Sequence, residues 1–427
     1  MVKKLLQFSA FILAGVGLFL FMNTKNHINI SEGLSNVLGQ LTASTTSSDP
    51  VKKAVDPNAD ITAQTPLQNP PEIIKAIYAT GWSGGNAKSV DYFINLIKGT
   101  ELNALVVDVK DYSGTVSYKM DVELIKKYGA VEVKIPKINS LIKKLHDQGI
   151  YAIARITVFQ DPILAKARPD LALQSVSKGT IWKDNKGLAW MDPSSQEVWD
   201  YNIAIAKDVL SRGFDEVNFD YIRFVSDGNM SDIKYPVWDI KTSKQKVIGN
   251  FAKYLREALP GAKISADVFG LVTMNYDDLG IGQKLEEILP YFDYVAPMVY
   301  PSHYASGFNG YKNPALYPYE VVHMSMAEAA KRIKIFSGAT STIQDDLNVA
   351  RLRPWLQDFN LGADYDKTKV RAQIEAVYDA FCSPPSPKAM ADAQICSSSS
   401  DGLGDKFGGW MLWNPSNVYT KAALNNE

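Results

Sequence analysis

Eight short apolar, β-branched segments alternate with helical patterns from residue 73 onward, and this alternation is the feature that most constrains the fold. The helical stretch KINSLIKKLHDQG, for example, has apolar residues at spacings of three and four and ends at a glycine. Strands alternating with helices form parallel crossover units, and eight such units favour a closed barrel over an open sheet. We therefore predict an α/β fold, a (β/α)8 TIM barrel. The predicted strands begin at Ile73, Leu102, Ile150, Asp215, Lys263, Tyr294, Arg351 and Gly408.

The amino-terminal region is typical of a membrane signal followed by a flexible stalk. Lys3 and Lys4 precede an apolar run, LLQFSAFILAGVGLFLFM, whose length of about eighteen residues is close to that of a membrane-spanning helix. The lysines predict a cytoplasmic start and export of the rest, and no small-x-small cleavage site follows directly. An uncleaved anchor is favoured; the alternative is a cleaved signal peptide and a secreted protein. The predicted domains are a membrane anchor or signal (1–22), a flexible linker rich in Ser, Thr and Pro (23–70) and an extracytoplasmic barrel (71–427).

Composition and motifs exclude several classes of function. The formal net charge is −1, so no global field would recruit nucleic acid, and we expect none as a partner. The 4 histidines form no His-x-x-His or Cys/His cluster, which indicates neither a metal nor another cofactor. No Gly-x-Gly-x-x-Gly follows the first predicted strand, and no Gly-x-Ser-x-Gly occurs, so dinucleotide-binding and α/β-hydrolase folds lose their main support.

The chain has 2 cysteines, Cys382 and Cys396, in one segment rich in Ser and Pro. If the domain is exported, an oxidising environment favours a disulfide that closes this loop. The alternative is a pair of free surface thiols.

Two aspartates are the candidate catalytic residues. Functional side chains of a (β/α)8 barrel lie at the carboxyl ends of the strands, where Asp220 and Asp267 follow the fourth and fifth predicted strands. Each is flanked by apolar residues, and burial there would be costly unless the carboxylate is paired or used in catalysis. Glycoside hydrolysis requires two such groups. We predict Asp220 as nucleophile or electrostatic stabiliser and Asp267 as general acid/base, with the reverse assignment open.

Other side chains near the same strand ends are candidates for binding the substrate. Residues two apart share a face of a strand, which pairs Asp108 with Lys110 and turns Tyr221 away from Asp220. Positive side chains from Arg155 and Lys110 would keep one carboxylate ionised, while apolar burial keeps its partner protonated. A packing or helix-capping role is the alternative for several of these residues. The predicted substrate-binding residues are Asp108, Lys110, Arg155, Asn218, Tyr300, His303 and Trp413.

The Asp-Val-Lys-Asp that starts at Asp108 and the segment GFDEVNFDYIRF resemble a largely uncharacterised barrel family grouped with glycoside hydrolases and formerly described as a domain of unknown function. The resemblance runs from about Ile73 to GGWMLWN and implies a carbohydrate-active barrel related to the α-amylase-like and chitinase-like groups. The α-amylase-like pattern implies that Asp220 is the nucleophile, but Asp267 stands where that group has a glutamate acid. The chitinase-like pattern would need its acid at Ile222.

These observations lead to two hypotheses. The first is a glycosidase that cleaves a cell-surface or extracellular polysaccharide with paired carboxylates, by a retaining or an inverting mechanism. The second is a non-catalytic carbohydrate-binding barrel at the cell surface, since a glutamate acid is absent and aromatic residues make up 11% of the chain.

Overall fold

The computed structural model describes residues 59–340, 349–382 and 404–426, and within them a closed, parallel barrel surrounded by helices. The first strand pairs with both the second and the eighth, which closes the ring, so the predicted (β/α)8 barrel is confirmed. The seventh strand is interrupted at Pro354, because proline has no N–H to donate to the sheet. The strands are β1 Ile74–Ala79, β2 Ala104–Lys110, β3 Tyr151–Thr157, β4 Glu216–Asp220, β5 Ile264–Phe269, β6 Tyr294–Met298, β7 Arg351–Leu352 with Trp355–Gln357, and β8 Gly409–Trp413.

The helices lie outside the barrel and bury one apolar face against the strands. The helix Ala87–Lys98 shows why they form: Asn86 accepts a hydrogen bond from the backbone N–H of Ser89, and Gly99 follows the last turn. Its residues Val90, Phe93 and Ile97 recur at helical spacing and are buried. The helices are α1 Gly81–Gly85, α2 Ala87–Lys98, α3 Glu123–Lys127, α4 Ile138–His146, α5 Pro162–Ala167, α6 Gln196–Ser211, α7 Lys244–Ala258, α8 Leu285–Ile288, α9 Pro318–Thr340 and α10 Lys367–Phe381.

A buried ion pair joins β4 to the interrupted strand β7 inside the barrel. Arg353 donates to Glu216 through both terminal nitrogens, and neither side chain is exposed to solvent. Ser265 of β5 donates to the same carboxylate at 2.6 Å. Asn218 and Asp267 lie two residues further along β4 and β5, so strand alternation directs them to the same interior, closer to the carboxyl ends.

The predicted linker 23–70 extends too far, because its last residues pack against the barrel. Asp60 accepts hydrogen bonds from the backbone N–H groups of Asn139 (2.7 Å) and Ser140 (3.0 Å) in the first turn of α4. The N–H of Leu67 donates to Asp215 Oδ1 at 2.6 Å. A carboxylate at a helix N-terminus satisfies otherwise unpaired N–H groups, so the polar composition of this stretch serves attachment to the barrel.

Three other predictions fall on residues outside the described ranges. These are the apolar segment 1–22, residues 23–58 of the predicted linker, and Cys396, so the pairing of Cys396 with the buried Cys382 stays a prediction. Within the described ranges, no helix has both the length and the apolar character that crossing a membrane requires.

Replacing Glu216 with glutamine should lower the free energy of unfolding by about 3–5 kcal/mol, because Arg353 would keep a buried charge without its carboxylate. Urea denaturation followed by tryptophan fluorescence measures the change. As a control, Lys143→Gln removes an ion pair to Asp147 that is half exposed and should leave stability nearly unchanged. A loss for Glu216→Gln no larger than that of the control would contradict this account.

Candidate active site

Arg155, on β3, is the centre of a charged cluster at the carboxyl ends of the strands. Its Nη1 donates to Asp108 Oδ1 at 2.6 Å, and its Nη2 donates to Asp220 Oδ2 at 2.5 Å. Its Nε lies 3.8 Å from Asp267 Oδ2. The strands β2, β4 and β5 therefore bring three predicted site residues around the guanidinium of one arginine that is 6% exposed.

Asp267 is a buried carboxyl that receives hydrogen bonds on only one of its oxygens. Oδ1 accepts hydrogen bonds from Asn218 Nδ2 (2.9 Å) and Trp355 Nε1 (2.8 Å). Burial and the charge of Asp220 raise the pKa of Asp267 to about 8, although Arg155 and these two donors act against that rise. Because both donors point at Oδ1, the proton of the neutral carboxyl belongs on Oδ2. At neutral pH Asp267 is thus a proton donor.

Asp220 has the opposite kind of surroundings, with donors on both oxygens. Oδ2 accepts from Arg155, and Oδ1 accepts the backbone N–H of Tyr221 at 2.5 Å. Charge-assisted hydrogen bonds of this kind stabilise the ionised carboxylate. The two carboxyl groups lie on neighbouring strands but have different surroundings. Asp267 is suited to give a proton, and Asp220 is suited to carry negative charge.

Tyr221 lies at the site, although strand alternation predicted that its side chain points away from Asp220. Strand β4 ends at Asp220, and Tyr221 has a φ of 55°, a left-handed conformation that reverses the expected direction of the side chain. Burial and the charge of Asp220 raise the pKa of its phenol to about 12, with Arg155 acting in the opposite direction. The ring lies 5.8 Å from that of Trp190. A regular strand pattern contains no signal for this reversal.

Tyr78 and Trp413 line the side of the cluster formed by β1 and β8. The Tyr78 hydroxyl donates to Asp108 Oδ2, and its ring stacks on Trp413 with centroids 4.0 Å apart. The Arg155 guanidinium lies 5.5 Å from the Trp413 ring. Trp410, by contrast, is fully buried in the layer between strands and helices. Tyr78 was not among the predicted site residues. Alternate residues of β1 face the barrel interior, and Tyr78 is one of them near the end of the strand, so strand alternation could have indicated it.

Tyr300 and His303 follow β6 and form an aromatic edge with Phe359. The rings of Tyr300 and His303 are 5.1 Å apart, and Phe359 lies 5.8 Å from Tyr300. Burial, and then the negative charges of Asp267 and Asp220, raise the pKa of Tyr300 well above its usual value. Burial lowers the pKa of His303 to about 4, so its imidazole is neutral at physiological pH and can contribute only neutral hydrogen bonds.

The prediction that Lys110 faces the site with Asp108 is wrong. Lys110 Nζ pairs with Asp161 at 2.8 Å and donates to the carbonyl of Thr157 at 2.5 Å, with both charged side chains fully buried. The pairing register between β2 and β3 shifts between Asp108 and Lys110. An irregularity of this kind takes the two residues off a common face, so Arg155 rather than Lys110 makes the ion pairs with Asp108 and Asp220.

Metal binding was not expected at these strand ends. In the described ranges, no group of three or more His, Cys, Asp or Glu side chains is arranged to hold a metal ion. The Asp108, Asp220 and Asp267 carboxyl groups surround a guanidinium instead.

A family described as "putative glycosyl hydrolase domain" matches residues 76–384 of the chain, which include every residue of the cluster except Trp413. The chain belongs to this family. The matched residues cover the barrel from β1 through α10. The match agrees with the resemblance carried by the motifs of the second and fourth strands.

One solved structure supports the fold of this glycosyl hydrolase family member. The glycoside hydrolase domain of PgaB from Bordetella bronchiseptica matches with a TM-score of 0.54 and 12% identity, over 83% of this chain and 99% of that one. A hypothetical protein from Ruminiclostridium thermocellum is 36% identical over 48% of this chain and 98% of its own, with a TM-score of 0.42. A comparison with curated protein sequences found no match. The PgaB likeness supports the barrel fold alone.

Proposed function

We propose that this protein hydrolyses glycosidic bonds of an extracellular or cell-surface polysaccharide. The observation that carries the proposal is the unequal pair formed by Asp220 and Asp267 on adjacent strands around one arginine. Glycoside hydrolysis needs one carboxylic acid that gives a proton to the leaving oxygen and one carboxylate that attacks or stabilises the anomeric centre.

Asp267 is the proton donor in this proposal. Its pKa of about 8 keeps it neutral at physiological pH, and its Oδ2 is the oxygen without a hydrogen bond from Asn218 or Trp355. Protonation of the glycosidic oxygen by Oδ2 lets the bond to the anomeric carbon break. In a retaining mechanism the carboxylate so formed then takes a proton from the incoming water, whereas in an inverting mechanism Asp220 takes that proton and Asp267 is reprotonated from solvent.

Asp220 is the negative group that meets the positive charge developing on the sugar. The ion pair with Arg155 and the N–H of Tyr221 hold the carboxylate in place. It acts either as the nucleophile that forms a glycosyl intermediate or as the base that activates water. Trp413, partly buried and in contact with Tyr78, offers an aromatic surface for the apolar face of a sugar ring.

Asp220→Asn and Asp267→Asn should each reduce hydrolysis of a panel of oligosaccharides by about a hundredfold or more, because each removes one of the two groups. In the unsubstituted protein the rate should fall as the pH rises through about 8, since Asp267 then loses its proton. Reducing-end release, measured between pH 5 and 10, tests both statements.

Asp170→Asn is the matched control, because Asp170 pairs with Arg168 at the exposed surface, and it should retain full activity. Full activity of both Asp220→Asn and Asp267→Asn would contradict the proposal. Glycan binding without any product on long incubation would instead support the carbohydrate-binding barrel.

We also propose that the barrel lies outside the cytoplasm, tethered by the amino-terminal segment. The support is the sequence, in which Lys3 and Lys4 precede the apolar run that ends at Met22. The full chain should sediment with membranes, and a chain lacking residues 1–22 should not. Recovery of the full chain in the soluble cytoplasmic fraction would contradict this location.

A further inference from the structure

Arg223 is a buried cation beside the site for which the mechanism above has no use. It follows Asp220 by three residues and is 7% exposed. Its guanidinium lies 4.7 Å from the ring centroids of both Trp190 and Phe269, and 5.5 Å from that of Tyr221. These aromatic rings fix the plane of the guanidinium at the edge of the cluster.

One edge of the Arg223 guanidinium has no partner in the protein. Nη1 donates to the carbonyl of Phe224 at 3.0 Å and to Ser226 Oγ at 3.1 Å. Within the part of the chain that the structure describes, no acceptor bonds Nε or Nη2, and no carboxylate lies within 4.0 Å of the guanidinium. A buried charge without a counter-ion is costly, and the Nε–Nη2 edge is the one that binds a planar carboxylate in two parallel hydrogen bonds.

Two acidic side chains of the surrounding loops are used by the loops themselves. Asp184 accepts hydrogen bonds from the backbone N–H of Leu188 at 2.9 Å and from Trp190 Nε1 at 3.0 Å. Asp227 accepts the N–H of Asn185 at 3.3 Å. Burial lowers the pKa of Arg223, although Tyr221 and the charges of Asp220, Asp227 and Asp184 act in the opposite direction without pairing with it.

A second cation belongs to the loop that lies against Arg223. Lys186 is an exposed residue between α5 and α6, and its backbone N–H donates to Asp184 Oδ1 at 2.9 Å. Asp184 Oδ2 accepts from Nε1 of Trp190, the ring that lies against Arg223. A second positive charge on this loop makes an anion more favourable there.

The position of this pair relates it to the sugar that would be cleaved. Phe269 is the last residue of β5, two residues after Asp267, and Tyr221 is adjacent to Asp220. Both terminal nitrogens of Arg155 already donate to carboxylates of the protein, whereas Nε and Nη2 of Arg223 have no acceptor among the described residues. Arg223 therefore lies beside the groups that would cut the glycosidic bond.

We propose that Arg223, assisted by Lys186, binds the carboxylate of an acidic sugar next to the cleavage point, so that the substrate is a polysaccharide containing uronic acid. This inference rests on the proposed hydrolysis and names its substrate class. The fixed plane of Arg223 favours a planar carboxylate, whose two oxygens match its two free N–H groups.

Ligand-observed NMR titrations of the full chain with glucuronate, glucose and sulfate test the assignment through binding alone. Glucuronate should bind about tenfold or more tightly than glucose, because two charge-assisted hydrogen bonds distinguish the two sugars. Arg223→Gln should abolish the difference, and Arg223→Lys should reduce it, since lysine keeps the charge but not the paired donors. Lys186→Gln, a change at an exposed residue, should weaken the binding of glucuronate and leave the binding of glucose unchanged.

Equal binding of glucuronate and glucose, or a preference that survives Arg223→Gln, would overturn the assignment. Sulfate that competes as well as glucuronate would overturn the choice of a carboxylate. Urea denaturation of each variant checks that it is folded, so that differences in binding are not caused by unfolding. A preference for glucuronate in a protein that cleaves no glycan would support the anion site while removing the proposed hydrolysis.

Discussion

The chemistry of this site depends on one guanidinium that serves three carboxyl groups. Arg155 donates to Asp108 and Asp220 and lies 3.8 Å from Asp267, all within the end of the barrel. One positive charge cannot balance three negative charges in a poorly solvated space, and burial raises the pKa of both Asp108 and Asp267. Asp267 keeps a proton at neutral pH because burial, and then the charge of Asp220, raise its pKa to about 8.

The barrel makes this arrangement rigid. Strand alternation sends Asn218 and Asp220 of β4 to the interior, with Asp267 opposite on β5, and the fully buried pair of Glu216 and Arg353 lies on the same interior nearer the amino ends. Asn218 connects the two levels, since it donates to both Ser265 and Asp267. Hydrogen bonds therefore link the polar interior of the barrel from the ion pair to the proton donor, which limits how far either carboxyl can move.

Periodic features could be predicted from the sequence, and local irregularities could not. Eight strands and the convergence of Arg155, Asp220 and Asp267 follow from alternation and from where strands end. The side-chain direction of Lys110 was not predicted because a shift in strand pairing separates it from Asp108. That of Tyr221 was not predicted because its backbone is left-handed. The attachment of Asp60 to α4 depends on tertiary hydrogen bonds, which composition does not encode.

The central claim is that Asp267 holds a proton at neutral pH, and ¹³C NMR of the full chain with labelled aspartate carboxyls measures this directly. The account predicts one carboxyl resonance that titrates near pH 8 and is missing from the Asp267→Asn protein. A spectrum in which every aspartate carboxyl titrates close to the ordinary value of about 4 would contradict the account.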